Sequence, residues 1–519
     1  MKKKIGVIGA GLSGLVTIKE LIEEGHDVIC LEKNKDIGGV FSKMGSYDSV
    51  ELTVSNYFMA YSDFMPYDEP VKFWTRKEYK QYLDKYAKHF DLLKYIKFDC
   101  DVTQIEDTSE NFIISGVGSD NQKFSETVDT LAVCSGQFQK PNIPDIEGLD
   151  TFLGDTMHSA EYTNVENCNH LKGKKVLFLG AGESGADVVT EIAGIASHSV
   201  LALRRRHLFS QKNVGGSNTI DMVQTRFWHS IPANEKAEAV RTIWRNIRKS
   251  TDNKALSLLA DHVILAPDEP GSVVTKTERI FEAEANGMVI DIGGITRVNG
   301  SQVEFESGRS ESFDAIVFCT GFKFSLPFMK NDSEISDIRD CYLQSFHKDL
   351  KERVAFIGFA RPQQGGVPLI AELQARYFAR VISDKIQLPE NLYELAIADK
   401  KLWQEEFYET PHVFGLVNGQ RFNEKIADLI GCRLPAPNII FSPKSFVVYW
   451  LHHIWPCQFR VVGPGKQNIA KEKWTNAPSI YSKKAKLKLI IGLSIKWLMS
   501  RNAKNTKERW RSILVTDRN

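Results

Sequence analysis

The chain has 519 residues, too many for one compact core, so its length predicts two or three domains. Hydrophobic residues make up 42% of the sequence and charged residues 25%, which is ordinary for a globular enzyme. Lys and Arg number 66 against 65 Asp and Glu, so no global positive field favours nucleic acid as a partner. The eight cysteines are scattered without a C-x-x-C pair or a metal-binding spacing. This pattern predicts no metal site and indicates reduced thiols in a cytoplasmic setting.

The first informative element is a glycine-rich turn between a predicted strand and a predicted helix, in KKIGVIGAGLSGLV. Gly9, Gly11 and Gly14 follow an apolar, β-branched run and open a helix-patterned stretch, the context of a dinucleotide-binding unit. Such glycines permit a tight turn, the approach of a pyrophosphate and close helix–strand packing, and the helix N-terminus faces the phosphates. Glu32 ends the next predicted strand, where a carboxylate accepts hydrogen bonds from a ribose and repels a 2′-phosphate. This site therefore favours FAD or NAD.

A second turn of the same kind lies in KKVLFLGAGESGADVV, with Gly180, Gly182 and Gly185 at the corresponding positions. Arg204, in SVLALRRRH, occupies the place that the acidic residue would otherwise take. Arg204 and the two arginines after it can pair with a 2′-phosphate, so this site favours NADP. The alternative is that these arginines only solvate the end of a strand.

Between and after these turns, the pattern predicts a helix, a buried strand, the second βαβ unit, a helical insertion and a late strand. These lie, in chain order, near 79–90, 130–136, 171–203, 207–266 and 314–322. The segments AVCSGQ and VFCTGF resemble each other, and each looks like the place where the chain leaves a nucleotide-binding domain. The simplest arrangement therefore inserts the second nucleotide domain into the first.

The end of the chain, from about Tyr481, is strongly basic and partly apolar. The stretch from Leu489 to Met499 is too short to span a bilayer. It predicts either a basic amphipathic helix on an anionic membrane surface or a helix packed on the enzyme.

Four further segments give the chain a recognisable pattern. The motif FLGDTMHSAEY runs from Phe152 to Tyr162 between the two glycine turns, and VSNYFMAYSDFMP contains Asn56. Two more segments follow further along the chain, DAIVFCTGFKFSLPFM and then AELQARYFARV. With these motifs the sequence resembles the flavin-containing monooxygenase family over at least residues 3–380.

The resemblance implies an α/β fold with two Rossmann-like domains of the three-layer β/β/α type, the NADP domain being inserted in the FAD domain. The expected domains are 1–165 with 315–450 for FAD, 166–314 for NADP, and a C-terminal extension over 451–519. The family's chemistry implies that NADPH reduces FAD and that the reduced flavin captures O2 as a C4a-hydroperoxyflavin. This species transfers one oxygen atom to a small nucleophilic amine or sulfide. No Ser-His-Asp set, paired carboxylate or metal cluster is needed, and the sequence suggests none.

The motif that begins at Phe152 differs from the related motif of Baeyer–Villiger monooxygenases. That motif usually ends in Trp-Pro, whereas this chain has Tyr162-Thr163. The departure favours oxygenation of nitrogen or sulfur without excluding ketones. Cys319 stands where the family more often has alanine before Thr-Gly, and a small buried thiol is expected to be tolerated there.

Asn56 matches the family's active-site asparagine and is the expected catalytic residue, since a neutral amide can bond to flavin or peroxide oxygen. The alternative is that Asn56 caps a turn. His158 is expected to fix a turn between domains rather than act as a base. The expected cofactor-binding residues are Gly9, Gly11, Ser13, Gly14, Glu32, Lys33, Gly39, Val40, Ser55, Asn56, Gly180, Gly182, Ser184, Gly185, Arg204, Arg205, Thr320, Gly321 and Gln364.

Several alternatives to N- or S-oxygenation stay open at this stage. They are a Baeyer–Villiger oxygenase, an NADPH oxidase that mainly releases peroxide, and a non-catalytic redox sensor. A flavin disulfide reductase is disfavoured because GGVFSKMGS contains no cysteine pair. The expected partners are the small substrate and O2, with a homo-oligomer and membrane contact through the tail left open.

Overall fold

The computed structural model describes residues 2–42, 45–214, 218–231, 233–267, 274–329, 335–407, 415–438 and 440–477. Within these residues the chain forms two five-stranded parallel sheets, and each is accompanied by a three-stranded antiparallel meander. The strands are β1 (Lys4–Ile8), β2 (Asp27–Leu31), β3 (Ile96–Lys97), β4 (Asp101–Asp107), β5 (Phe112–Val117), β6 (Lys123–Val128), β7 (Thr130–Val133), β8 (Lys140–Pro141), β9 (Asp155–His158), β10 (Lys175–Leu179), β11 (His198–Leu203), β12 (Phe209–Ser210), β13 (Asn213–Val214), β14 (Asn218–Thr219), β15 (Thr275–Lys276), β16 (Val289–Ile292), β17 (Ile295–Asn299), β18 (Gln302–Phe305), β19 (Ser310–Ser312), β20 (Ala315–Phe318), β21 (Phe322–Lys323), β22 (Val354–Phe356), β23 (Arg361–Pro362) and β24 (Leu416–Val417).

The helices connect and cover these sheets. They are α1 (Leu12–Glu23), α2 (Arg76–His89), α3 (Glu183–Ala193), α4 (Arg226–Ser230), α5 (Ala233–Ser250), α6 (Lys254–Ile264), α7 (Arg279–Ala285), α8 (Val367–Ile382), α9 (Leu392–Glu406), α10 (Gly419–Ile430), α11 (Pro443–Leu451) and α12 (Asn468–Thr475).

The first parallel sheet has the strand order β22-β7-β1-β2-β3 and is covered on both faces. Successive side chains of β1 point to opposite faces, as a strand requires. Ile5 and Val7 join the core formed with α1 and α8, whereas Ile8 joins the core formed with the meander β4-β5-β6. Gly6 leaves room for that meander, because a Cβ there would lie 2.7 Å from Ile114 Cδ1.

The second parallel sheet, β16-β11-β10-β20-β9, repeats this three-layer arrangement. Val176 and Phe178 of β10 pack with α3 and α7, and Leu177 and Leu179 pack with the meander β17-β18-β19. The structure thus confirms the expected α/β fold with two Rossmann-like units of β/β/α type.

The chain crosses between the sheets twice, after β7 and after β20, and the two crossings pair as the antiparallel ladder β8–β21. The strands β9 and β20 both belong to the second sheet. This sheet therefore begins before residue 166 and extends beyond residue 314. The domain boundaries expected at 165/166 and 314/315 stay predictions.

The segment from β12 to α6 covers the predicted helical insertion, and α4, α5 and α6 form its helical part. Residues 455–477 pack against Tyr57 and Phe58 of the loop that follows Val54, so this part of the C-terminal extension belongs to the core. Among the described residues no helix is both long and apolar enough to cross a bilayer. The basic tail that begins near Tyr481 lies outside the described residues.

A buried cluster of charges joins α1, the loop after Tyr61, α8 and the C-terminal segment. The Arg460 guanidinium lies 2.9 Å from the Glu20 carboxylate, 3.0 Å from Asp63 and 2.7 Å from Glu372. Lys19, only 2% exposed, contacts Asp63 at 2.6 Å. Burial alone would raise the pKa values of Glu20 and Asp63, but the Arg460 and Lys19 charges hold both below their usual range.

Removing Arg460 tests how much the fold depends on this cluster. Arg460→Met is expected to cost about 3–5 kcal/mol, because it leaves buried carboxylates without their central cation. The measurement is the thermal unfolding midpoint of the FAD-loaded protein. Arg245→Met is the matched control, since Arg245 pairs with Glu238 at the surface and is expected to change the midpoint little. Equal midpoints for the two variants would contradict the assigned role of the cluster.

Candidate active site

The first glycine turn forms a cradle at the carboxyl end of β1. Gly9 has a φ of +97°, and a Cβ on Gly14 would lie 1.9 Å from the Gly9 carbonyl oxygen. Gly11 faces Gly39 so closely that a Cβ on Gly39 would lie 3.3 Å from Gly11 Cα. Gly11 precedes α1 without a side-chain cap, which leaves N–H groups of the first helical turn for a ligand. The cradle fits a dinucleotide pyrophosphate.

Glu32 lies buried beside this turn, directly after β2. Its Oε2 accepts a hydrogen bond from the Ala10 N–H at 2.6 Å, and its Oε1 accepts one from the Asn34 N–H at 2.9 Å. These bonds hold the carboxylate at the turn, where a ribose contact is predicted.

The other residues predicted around this turn differ in exposure. Lys33 and Val40 are exposed, whereas Ser13 is buried. Ser13 also explains a glycine that the sequence pattern did not single out, Gly358. A Cβ at Gly358 would lie 1.9 Å from Ser13 Oγ, so the chain passes there only without a side chain.

The second glycine turn, after β10, has the same construction. Gly180 has a φ of +85°, and a Cβ on Gly185 would lie 2.8 Å from Cys319 Cβ. The small Cys319 side chain therefore helps α3 approach the sheet. A Cβ added to Gly182 would meet no atom of the described residues within 4 Å, and Ser184 is exposed. This space fits the approach of a second pyrophosphate.

Two predicted arginines follow β11 beside this turn. Arg204 is exposed and Arg205 is half-buried. The Arg204 Cγ lies 3.6 Å from the position that a Cβ on Gly294 would take, so the arginine stem packs beside this glycine. The position at the carboxyl end of the strand is consistent with the predicted 2′-phosphate contact.

Thr320 and Gly321 lie in the crossing between the two sheets. The Thr320 hydroxyl donates to the Asn142 carbonyl oxygen, and the Asn142 N–H donates to the Gly321 carbonyl oxygen at 2.9 Å. These bonds tie the two crossings to each other. His158, nearby, accepts the Ala160 N–H on Nδ1 and caps a short turn, the role expected for it.

The loop that carries Ser55 and Asn56 is buried. The Asn56 side-chain oxygen accepts the N–H groups of Tyr57 and Lys72 at 3.0 and 3.1 Å, and its amide donates to the Pro70 carbonyl oxygen. These are the bonds of a turn-capping asparagine, the alternative considered for this residue. A direct role for Asn56 with the cofactors stays a prediction.

The insertion reaches this loop through one buried carboxylate. Asp221 Oδ2 accepts the Ser55 N–H at 2.6 Å, and its Oδ1 accepts the Thr219 hydroxyl at 2.6 Å. Asp221 is 5% exposed. The position of the Ser55 backbone therefore depends on a residue of the insertion.

A small cavity, partly open to solvent, lies beside this loop. Gln364, Gly365 and Gly366 line it at the N-terminus of α8, and the insertion, α10 and the C-terminal segment supply the rest. The other lining residues are Phe58, Gln224, His229, Leu369, Gly419, Gln420, Asn423, Ile454, Gln458 and Phe459. Among the described residues that line the cavity, Gln364 is the only one that the sequence analysis expected to bind a cofactor.

A buried arginine secures the insertion at the cavity. Arg226 contacts Glu424 Oε1 at 2.9 Å and Gln458 Oε1 at 2.5 Å, and its guanidinium lies 4.0 Å from the Tyr449 ring centre. Burial lowers the pKa of the neighbouring His229 to about 3, so its imidazole is neutral at physiological pH.

The flavin-binding monooxygenase-like family model matches residues 2–491. The chain belongs to this family. It is 37% identical to the 4-hydroxybenzoate brominase (decarboxylating) of Marinomonas mediterranea, over 92% of this chain and 94% of that protein. It is 28% identical to human flavin-containing monooxygenase 5, over 91% of each chain. The solved structure of OTEMO in complex with FAD and NADP resembles its fold, with a TM-score of 0.61, 15% identity and coverage of 82% of this chain and 97% of that one.

As a member of the flavin-binding monooxygenase-like family, the protein is an NADPH- and FAD-dependent monooxygenase. When bound, FAD supplies the redox chemistry and the activation of O2. The residues around both glycine turns fit the two dinucleotides.

Sequence reasoning missed most of the cavity. Gln224, His229, Asn423 and Gln458 come from three separate segments, and their spacing carries no motif. The insertion and residues 391–480 carry no recognisable motif. This was the one indication that they could shape a substrate pocket.

We predict that Asp221 limits the release of H2O2 by the enzyme. Asp221→Asn removes a charge-assisted acceptor from the Ser55 N–H, so the loop beside the flavin is expected to shift. In the absence of organic substrate, NADPH-dependent release of H2O2 is expected to rise by up to about tenfold. The measurement is peroxide production by enzyme of equal FAD content. Asp252→Asn, at an exposed position of the same insertion, is the control, and matching rates in the two variants would refute the prediction.

Proposed function

We propose that this enzyme uses NADPH and O2 to oxidise a halide ion and halogenates a hydroxybenzoate-type phenolic acid with loss of its carboxyl group. The observation that carries this proposal is the chemistry of the few polar groups in the mainly apolar cavity beside the predicted flavin site. Its polar lining consists of amide and imidazole groups, and Asp and Glu are absent from the described residues that line it.

The pattern of similarity supports this choice. The decarboxylating brominase is 37% identical to this chain, against 28% for human flavin-containing monooxygenase 5, at comparable coverage. A shared substrate class would account for the greater similarity to the brominase.

The charge around the cavity favours an anion over an amine. Burial has the largest effect on the pKa of His229, and the charges of Lys236, Arg226 and Arg421 lower it further. A trialkylamine is protonated near neutral pH and meets no Asp or Glu among the described residues that line the cavity, whereas a phenolic acid carries the opposite charge.

The proposed reaction balances without another oxidant. NADPH, O2, one halide ion and two protons yield NADP⁺, water and hypohalous acid. The hypohalous acid then halogenates the ring carbon that carries the carboxylate. The new carbon–halogen bond replaces the carbon–carboxyl bond, and CO2 and hydroxide leave.

The chain's own residues bind and shield the reactants. Phe58, Leu369, Ile454 and Phe459 supply apolar walls of the cavity. Amide groups of Gln224, Gln420 and Asn423 can orient a phenolic hydroxyl.

N- or S-oxygenation is the second candidate, because one observation favours it. Tyr162 and Thr163 stand where Baeyer–Villiger enzymes usually have Trp-Pro, and Tyr162 is buried with its hydroxyl donating to Glu191. The same feature disfavours Baeyer–Villiger oxidation of ketones.

The deciding experiment supplies holoenzyme with NADPH, O2 and 4-hydroxybenzoate, with and without bromide. The proposal predicts bromophenol and CO2 in the presence of bromide, and peroxide without brominated product in its absence. Methyl phenyl sulfide, N,N-dimethylaniline and cyclohexanone are tested in parallel. Efficient formation of a sulfoxide, N-oxide or lactone, with no bromophenol, would overturn the proposal.

A further inference from the structure

We propose that the enclosed part of the cavity, where the N-termini of α8 and α10 meet, binds a single halide ion. This inference rests on the proposed function, because it assigns the halide that the reaction oxidises to a particular site. It adds a binding site for an inorganic ion to the predicted nucleotide sites.

Two glycines bring the N-termini of α8 and α10 together at the cavity. A Cβ on Gly366, the N-cap of α8, would lie 2.3 Å from the Phe58 carbonyl oxygen. A Cβ on Gly419, the first residue of α10, would lie 2.3 Å from the Gln364 carbonyl oxygen. Such a close approach requires residues without a side chain, and both glycines line the cavity.

Both helix starts leave backbone N–H groups for a ligand. Among the described residues no side chain caps α8. In α10 the Asn418 side chain accepts the Arg421 N–H at 3.2 Å, so the N–H groups of Gly419 and Gln420 have no acceptor within the helix. Neither helix has an acidic residue in its first turn, which the structure describes in both cases. The partial positive charges of two helix dipoles therefore favour an anion between them.

Two buried side-chain groups without partners lie at the same cavity. Asn423, on α10, lines it and is 7% exposed. Within the described ranges its buried Oδ1 has no hydrogen-bond partner, and neither has the buried Nε2 of His229 on α4. A half-turn of the carboxamide presents its NH2 group to an anion, and the neutral imidazole can present an N–H. Because buried polar groups without partners cost free energy, a ligand that accepts from both would be stabilised.

The size of the site favours a monatomic ion. The enclosed part of the cavity has room for about one water molecule, and the open side gives a small ion access from solvent. A cation is disfavoured by the two helix dipoles, and Asp and Glu are absent from the described residues that line the cavity. A halide ion meets both conditions of size and charge. Gln364 lines the same cavity, so the ion would lie beside the predicted flavin site.

Halide binding is measured through the NMR line width of chloride ions, which increases when chloride exchanges with a site on a protein. The sample is FAD-loaded enzyme saturated with NADP⁺, so that the dinucleotides cover the two glycine turns. Wild type is expected to show saturable broadening that bromide reverses. Acetate, which is larger, is expected to reverse it far less effectively.

Two variants on separate segments assign the site. Asn423→Leu removes the amide at similar volume and is expected to weaken chloride binding by about tenfold or more, as the loss of one charge-assisted hydrogen bond predicts. His229→Phe removes the imidazole and is expected to act in the same direction. Asn246→Leu, at an exposed position of α5, is the matched control and is expected to bind chloride as wild type does.

Broadening that does not saturate, or that acetate and bromide reverse equally, would overturn the inference with wild type alone. Unchanged chloride affinity in both Asn423→Leu and His229→Phe, at normal FAD content, would also overturn it. The proposed function fails separately: wild type that binds halide at this site but forms no bromophenol refutes halogenation and leaves the halide site intact. Bromophenol formation with an unchanged KM for bromide in both variants refutes only the halide site.

Discussion

The buried charge cluster around Arg460 is the constraint on which the site depends. It joins α1 to α8 and to the C-terminal segment, through carboxylates of Glu20, Asp63 and Glu372. The three buried carboxylates face Arg460, Lys19 and Arg376, and Lys19 also pairs with the half-exposed carboxylate of Glu23 at 2.8 Å. Such a cluster contributes little net stability over an apolar core, but it strongly disfavours any arrangement that separates its members. The residues immediately before Arg460, Gln458 and Phe459, line the cavity, and the cluster fixes them relative to α8.

The two glycine turns are the predicted binding sites of the two dinucleotides, which carry the redox chemistry. Each lies at the carboxyl end of the central strand of a five-stranded parallel sheet, the end at which ligands of such sheets bind. The crossings between the sheets are paired through Asn142, Thr320 and Gly321, and the insertion returns to the first domain through Asp221. The cavity is thus built from both nucleotide-binding units and the C-terminal segment. This construction allows substrate recognition to differ among enzymes that keep the same cofactor turns.

Much of the fold could be predicted from the sequence because its signals are local. The glycine turns, the apolar strands and the helix near Tyr79 each occupy a short, periodic stretch, and the structure confirms them. The limits of the second sheet were less predictable, because β9 and β20 join it by pairing at long range. Lys19 and Glu20 read as ordinary polar residues of a helix, yet both are buried, because their partners lie at 63 and 460. The cavity was hidden for the same reason: its polar groups meet only in three dimensions.

Catalysis requires NADPH to deliver electrons to FAD, whose predicted site is the first turn. Anaerobic mixing of FAD-loaded enzyme with NADPH, followed by flavin absorbance, tests this most directly. Full bleaching of the flavin band is expected, at a rate that saturates with NADPH. Bleaching with NADH at equal concentration should be slower by about tenfold or more, because NADH lacks the phosphate that the arginine positions are predicted to bind. A flavin that stays oxidised with NADPH, or equal rates with both nucleotides, would contradict it.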